Sequence, residues 1–373
     1  MNKTVLFAAN RGYALLSSRR ELIERFISDG WSVVLATEND QESRTLEALG
    51  AVLEPVTFNR GGFSPLADWR AGRRLRQIVR RWRPSLVHSF HAKPVIMGTL
   101  AVRRELSDDV RIVNTITGLG HAFVQGGLVT WLASAGYRAA LGRADVTIFQ
   151  NRDDRVLFLK NSWLPKAKAK LIAGSGIPLE RFSFVDRSAY DSSRPVVVML
   201  GRLINQKGIP EFVEVAKRVL NEVPGARFCW AGEEDPVHPD AGDMDWLKSQ
   251  REVEYVGRLS DVRPLLKQAD LLLFPSYREG VPRAVMEAAA TGLATVAFDV
   301  PGVREAVRDG ETGYLVPDRD VDAMTDRVLQ LLGDKARRLE LGRNANELAR
   351  EAFDIRAIQE AYLNVYRGLG VEI

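Results

Sequence analysis

From end to end this chain alternates short apolar runs with amphipathic stretches, and that alternation leaves few folds open. The first half carries the strand-like runs TVLFAA, SVVLAT, SLVHSF, RIVNTIT, VTIFQN and KLIAG. The second carries PVVVMLG, ARFCWAG, EVEYVG, LLLFPS, ATVAFDV and GYLVP. Helical patterns lie between most of them. Strand–helix alternation implies parallel sheets covered by helices on both faces. Two equal series of six runs, parted by a polar, irregular stretch from Ser175 to Arg194, predict two doubly wound α/β domains. A single eight-stranded barrel would need a different strand count and would not split the chain's charge.

That split is sharp. Residues 1–181 hold 27 Lys and Arg against 16 Asp and Glu; residues 182–373 hold 25 against 32. The net charge of +4 therefore conceals a basic half and an acidic half. A basic half points to an anionic partner: nucleic acid, an anionic membrane or a phosphorylated substrate. The single cysteine, Cys229, lies in a strand-like run and reads as a buried small hydrophobe. The chain enters its first strand almost at once and carries no apolar run of spanning length, so a cytoplasmic location is expected.

In open α/β sheets ligands bind beyond the carboxyl ends of the strands, so the strand-to-helix turns matter most. GRLINQKG (201–208) follows the strand PVVVML and precedes a helix expected to begin near Ile209 and Pro210. Free amides and a partial positive charge at a helix start, joined by Arg202 and Lys207, make an anion site suited to a diphosphate. The spacing is not that of a P-loop. Two solvated loop charges are the plainer alternative.

The stretch YREGVPRAVME (277–287) follows the strand LLLFPS. Pro282 suits the first turn of a helix, and Gly280 allows close backbone approach. Amides from Val281 to Val285 are candidates for a phosphate. Glu279 is expected outside the helix and Glu287 just over one turn inside it. Carboxylates repel phosphate but accept hydrogen bonds from hydroxyls, an arrangement that fits a nucleotide sugar. An ordinary charged helix start fits the spacing as well.

These residues carry a family resemblance. GRLINQKG, AGEE (231–234), VGRLSDV (256–262) and the long run from Pro275 to Pro317 resemble the retaining glycosyltransferases of the large family 4 group, which have the GT-B fold. Glu279 and Glu287 match that family's E-x7-E signature. HSFHAKP (88–94) and NTITGLGHAF (114–123) resemble the branch that builds bacterial capsule and glycan precursors on a polyprenyl diphosphate carrier.

The resemblance implies two Rossmann-like domains facing a central cleft. Residues 1–180 would bind the acceptor and be joined by a crossover helix at about 354–373; residues 190–353 would bind the donor. It also implies roles. Arg202 and Lys207 stabilise the donor diphosphate, Glu287 holds ribose hydroxyls, and Glu279 holds sugar hydroxyls with amides near Gly280 and Val281. Gly201, Arg258, Leu259 and Ser260 lie near the nucleotide, and Gly12 in its turn closes on the cleft. No metal or cofactor is expected beyond a UDP-sugar substrate, with GDP as the runner-up. Transfer of a hexose or N-acetylhexosamine would retain anomeric configuration. The two glutamates would not be a glycosidase acid–nucleophile pair.

On the acceptor side the candidates are His88 and His91 at the end of SLVHSF, Thr117, and His121. Many family members place a histidine before the glycine that here follows Thr117, and His121 is the candidate to serve instead. The resembled reaction needs a membrane. DWRAGRRLRQIVRRWRP (68–84) is a basic amphipathic helix with an apolar stripe of Leu75, Ile78, Val79 and Trp82. AFVQGGLVTWLASAGYRAAL (122–141) is unusually apolar and offers Trp131 as an anchor. Both segments also suit burial against the first sheet. The implied enzyme sits on the inner face of the cell membrane and acts on a lipid-linked sugar. The alternatives are a nucleotide-sugar epimerase of the same fold and a non-catalytic sugar- or nucleic-acid-binding protein. The arginines lack the interleaved aromatics and motifs that nucleic-acid binding would require.

Overall fold

The computed structural model describes residues 3–59, 62, 64–106, 110–119, 123, 127–190 and 193–373. The chain forms two compact units, Gly176–Ile355 and Met1–Ser175 with Arg356–Ile373.

The first unit is built on seven parallel strands: β1 (Thr4–Ala8), β2 (Ser32–Thr37), β3 (Val52–Pro55), β4 (Leu86–Phe90), β5 (Arg111–Ile116), β6 (Val146–Phe149) and β7 (Ala169–Leu171). Their order is 3-2-1-4-5-6-7. The strand without a counterpart among the expected runs is β3. It is an edge strand paired only with β2, is mostly solvent-facing and ends on Pro55, so it has no need of a continuous apolar run. Between the strands run the helices α1 (Gly12–Ser28), α2 (Gln41–Ala48), α3 (Pro65–Trp82), α4 (Ala92–Glu105), α5 (Gly127–Leu141) and α6 (Arg152–Lys160).

The second unit holds β8 (Val196–Leu200), β9 (Arg227–Ala231), β10 (Val253–Gly257), β11 (Leu271–Phe274), β12 (Ala294–Phe298) and β13 (Gly313–Val316), all parallel in the order 10-9-8-11-12-13. Its helices are α7 (Ile209–Glu222), α8 (Met244–Ser249), α9 (Arg263–Gln268), α10 (Arg283–Ala290), α11 (Val321–Gly333) and α12 (Lys335–Ala352). The central strands β8, β11 and β12 are buried apart from the first residue of β8, which is why they read as near-continuous apolar runs. Cys229 is buried in β9, where loss of water pushes its thiol up to about 11.

The last helix, α13 (Ile355–Gly368), returns to the first unit. Tyr362, Leu363 and Tyr366 pack with Leu22, Ile23 and Phe26 of α1. Burial of each large side chain contributes about 1.5–3 kcal/mol. A polar thread fixes the register of this packing. Arg19 donates to the Tyr362 hydroxyl at 3.0 Å, and His88 contacts the Tyr366 hydroxyl at 2.5 Å and Thr115 Oγ1 at 2.8 Å.

Each sheet reverses its strand order once, at β1/β4 and at β8/β11. Such switch points lie where ligands bind in open α/β sheets. Register between β8 and β11 covers Val197 with Leu271 and Val198 with Leu272. Beyond it the strands run on to the two loops that the sequence marks.

Candidate active site at the second switch point

The loop after β8 folds through a short 3-10 turn, Asn205–Lys207, and enters α7 at Ile209 with proline in its first turn. Gly208 makes this possible. Its φ is +72°, and a Cβ there would lie 1.9 Å from the Pro275 carbonyl oxygen. The close approach brings the loop against the segment after β11. Tyr277 N donates to the Gln206 carbonyl at 3.0 Å, and Gln206 Nε2 donates to the Arg278 carbonyl at 2.9 Å.

At this seam stands the central cluster. Lys207 Nζ pairs with Glu279 Oε1, and both side chains are largely buried. Ser276 Oγ donates to the same carboxylate oxygen at 2.6 Å. Lys207 also lies 5.7 Å from the ring centroid of Phe274. The sequence reading gave Lys207 and Glu279 separate partners; the structure joins them to each other. Arg202 is held by Asp235, a buried residue just after β9 that sequence reasoning missed, at 2.5 Å. Its only sequence signal was its place directly after the AGEE turn.

Glu279 itself is braced from behind. Its amide donates to the Pro301 carbonyl at 3.1 Å. Gly302, at φ +83°, lies so close that a Cβ would fall within 2.4 Å of the Glu279 and Gly280 carbonyl oxygens.

The following helix begins one residue later than its sequence suggests. Pro282 is the N-cap, in extended conformation, and α10 starts at Arg283. The Pro282 carbonyl accepts from Val285 at 3.1 Å and from Met286 at 3.2 Å. The Val285 amide is thereby withdrawn from the phosphate candidates, because the helix's own first turn uses it. Gly280 and Val281 are buried.

Glu287, the fifth residue of α10, is 8% exposed. Arg283 Nε donates to its Oε1 at 2.6 Å, which gives a task to an arginine that the sequence left without one. Burial pushes the Glu287 carboxyl above its ordinary range. Arg283 and Arg181 oppose that rise, and Asp261 adds to it. Asp261 is held down to about 2, mainly by its hydrogen bonds from Arg263. Leu259 and Ser260 lie in the turn between β10 and α9, and Arg258 pairs with Glu233 at 3.3 Å. Gly201 donates its amide to the Ala231 carbonyl at 3.1 Å.

The first-unit candidates divide differently. His88 is the third residue of β4, not its end, and is fully buried. Both ring nitrogens are engaged by Tyr366 and Thr115, and burial drives its pKa well below the ordinary histidine range. It is a neutral core residue, so it leaves the acceptor set. Gly12 opens α1, and its amide donates to Asp40 Oδ2 at 2.8 Å. The structure thus ties the Gly12 amide to the N-cap of α2, a bond that uses its one backbone donor. His91 caps α4 at φ +68°, in the left-handed region a non-glycine residue seldom adopts. Thr117 follows β5 and is partly exposed. His121 lies outside the described residues. Among the described residues no cluster of three His, Cys, Asp or Glu side chains is placed to hold a metal.

Comparison with known proteins joins the two units to one activity. The family described as "Glycosyl transferases group 1" matches residues 194–334, and "Glycosyl transferase 4-like domain" matches residues 17–173. The chain belongs to the family 4 glycosyltransferases. The enzyme is 26% identical over 375 residues to the N,N'-diacetylbacillosaminyl-diphospho-undecaprenol alpha-1,3-N-acetylgalactosaminyltransferase of Campylobacter jejuni, covering 96% of this chain and 97% of that one. Its fold matches sucrose-phosphate synthase from Thermosynechococcus elongatus with a TM-score of 0.80, at 20% identity over 98% and 99% of the two chains. It also matches Anabaena HepE, solved in complex with UDP and glucose, with a TM-score of 0.75, at 17% identity over 97% and 99%. The enzyme therefore has the GT-B fold, two parallel-sheet α/β domains, and transfers a glycosyl group.

Proposed function

We propose that the enzyme moves a hexose or N-acetylhexosamine from a UDP-sugar to a sugar carried on a polyprenyl diphosphate, with retention of anomeric configuration. The observation that carries the reading is the Lys207–Glu279–Ser276 cluster at the β8/β11 switch point, with the Arg283–Glu287 pair on the helix that follows. It brings a cation and a carboxylate together from the loops after β8 and β11, with a buried second carboxylate in the helix that follows, which supports a donor site there. The acceptor class follows the activity of the Campylobacter relative, and the nucleotide follows the UDP bound in HepE.

On this reading the resting ion pair is exchanged when donor arrives. Lys207 leaves Glu279 for the diphosphate, where Arg202 joins it. Glu279, still held by Ser276, is released to accept from sugar hydroxyls. Glu287 accepts from ribose hydroxyls. The bond between the anomeric carbon and the diphosphate oxygen breaks as the acceptor oxygen forms its bond on the same face. The acceptor hydroxyl's proton passes to the leaving phosphate oxygen. Fixed positive charge beside that oxygen is the protein's main contribution. The acceptor belongs to the first unit, and the enzyme works against the inner face of the cell membrane.

The test is a transfer assay with a panel of UDP- and GDP-sugars on lipid-diphosphate-linked acceptors, with the product's anomeric configuration read by NMR. One or more UDP-sugars should support transfer with retention, and excess EDTA should leave the rate unchanged. Transfer from GDP-sugars alone, an inverted product or strict metal dependence would each overturn the corresponding part of the reading.

A further inference from the structure

The arginine-rich helix α3 does not present its charges as its sequence suggests. Arg74 and Arg81 both reach Glu54, a buried carboxylate on β3, at 2.6 and 3.1 Å. Trp82 Nε1 donates to the same carboxylate at 2.7 Å, and Arg80 pairs with Glu105 of α4. The carboxyl-terminal half of α3 is therefore fastened to its own unit. Arg70 and Arg73, nearer the start of the helix, are exposed, and no carboxylate among the described residues pairs with either. Arg73 instead lies over the ring of Trp69 at 5.6 Å.

Trp69 is 54% exposed, and Leu66 one turn earlier is 59% exposed. A second apolar group opens α5: Leu128 is 71% exposed and Trp131 is 65% exposed, with Val129 between them. Solvent-facing tryptophan at two separate helix starts is unusual for a surface with no task.

The topology places these groups on one face. Strands β3, β4, β5 and β6 are linked in turn by α3, α4 and α5, and the crossovers from β3 to β6 all run the same way across the sheet. Right-handed crossovers then put the three helices on one side, each starting at the carboxyl edge of the strands. Contacts agree. Ala71, Leu75 and Ile78 of α3 share a core with Ala101 and Val102 of α4, and Val95 of α4 shares one with Tyr137 and Leu141 of α5. Lys93 at the start of α4 pairs with Asp68 of α3 at 2.6 Å, fixing those two helix starts side by side.

Charge on this face is one-sided. Helix α5 contains no acidic residue, and the acids of α3 and α4, Asp68 and Glu105, are each taken by an ion pair.

We propose that the helix starts of α3, α4 and α5 form the membrane-docking face of this enzyme, and that its partner is an anionic bilayer. Trp69, Leu66, Leu128 and Trp131 enter the interface between headgroups and acyl chains, where tryptophan partitions by preference. Arg70 and Arg73 meet lipid phosphates at the level of the Trp69 ring. The arginines at the far end of α3 serve the fold. The proposal rests on the lipid-acceptor reading for its purpose, while the face is argued from exposure, charge and topology.

The experiment is flotation of the full chain with phosphatidylcholine vesicles made with or without phosphatidylglycerol. The wild type should float with the anionic vesicles and much less with the neutral ones. The double variant W69A/W131A should lose about tenfold or more of its partition coefficient. R70E/R73E should lose binding to the anionic vesicles with an unchanged melting temperature, whereas R74E/R81E should lower the melting temperature by uncovering Glu54. Unaltered flotation of both W69A/W131A and R70E/R73E would overturn the proposal. So would a wild type that ignores vesicles but forms a dimer abolished by W131A, which would make the face a contact between copies. Transfer to a short-chain, detergent-soluble acceptor should survive in W69A/W131A, so failure to dock is distinguishable from failure of the transfer reading.

Discussion

The two switch points of this enzyme share a topology and use their polar residues in opposite ways. Beyond β8 and β11, charged side chains are paired with each other: Lys207 with Glu279, Arg202 with Asp235, Arg283 with Glu287. On the proposed mechanism, each pair holds charge that an incoming anion or hydroxyl redirects. Near β1 and β4, polar groups are anchored to the scaffold. His88 is locked between Tyr366 and Thr115, Gly12 is fastened to Asp40, and Arg19 lies among Phe90 and Tyr362. The difference teaches how to separate chemistry from architecture within a repeated fold. On that mechanism polar pairs at a loop seam are exchangeable, while polar groups inside strands and under helices are spent on register.

The sharpest way to break this comparison is Lys207→Ala. Its transfer rate should fall by about 10²–10³-fold in protein that still folds, as for loss of one preorganised charge at a leaving group. Near-normal turnover would return Lys207 to the solvated-loop reading. Next comes the reverse case, His88→Ala. It should cost about 2–4 kcal/mol in urea unfolding by leaving buried partners unsatisfied. Transfer per folded molecule should stay close to that of the wild type, and a selective loss of turnover would erase the distinction between the two regions.

Arg283→Leu should act through pH. Burial already holds the Glu287 carboxyl above its ordinary value, and Arg283 opposes the rise. Without Arg283 the carboxyl should rise further, so the acid limb of kcat/KM should move to higher pH. Arg283→Lys should restore part of the shift. The stability sign follows from a folded pKa raised above the unfolded one. Stability from this group is full below the unfolded pKa and is lost as pH rises through the folded pKa, a loss that should deepen in the leucine variant. An unmoved acid limb would show that Arg283 does not govern Glu287. The smallest effect belongs to Ser276→Ala, which removes one hydrogen bond from Glu279. A loss of about 0.5–1.5 kcal/mol in kcat/KM is expected, checked by initial rates across donor concentration.

Much of this enzyme was legible in its sequence because its signals are local. Buried parallel strands announce themselves as apolar runs, and turns before helices announce their glycines, prolines and charges. What stayed hidden depends on chain segments far apart. The edge strand β3 has water on one flank and so needs no apolar run. Asp235 matters only because β9 lies beside β8. Arg283 shows its partner only once the helix is seen to begin at it, because helical backbone brings Glu287, four residues on, within its reach. His88 looked like a strand-end ligand because nothing near it in sequence reveals Tyr366, 278 residues away. The arginines of α3 read as one uniform basic stripe because Glu54 and Glu105 lie on other elements.

The returning helix α13 sets an order of events during synthesis. Residues 176–355 form a unit of their own, yet they stand between the sheet of the first unit and the helix that fills its core. A ribosome that has made only the first 175 residues has not yet supplied Tyr362 and Tyr366. The nascent first unit then carries an open apolar seam along α1, with His88 lacking the Tyr366 hydroxyl. The second unit, continuous in sequence, can close first. The half made earliest is finished last, and until then it is the half most in need of shelter from aggregation.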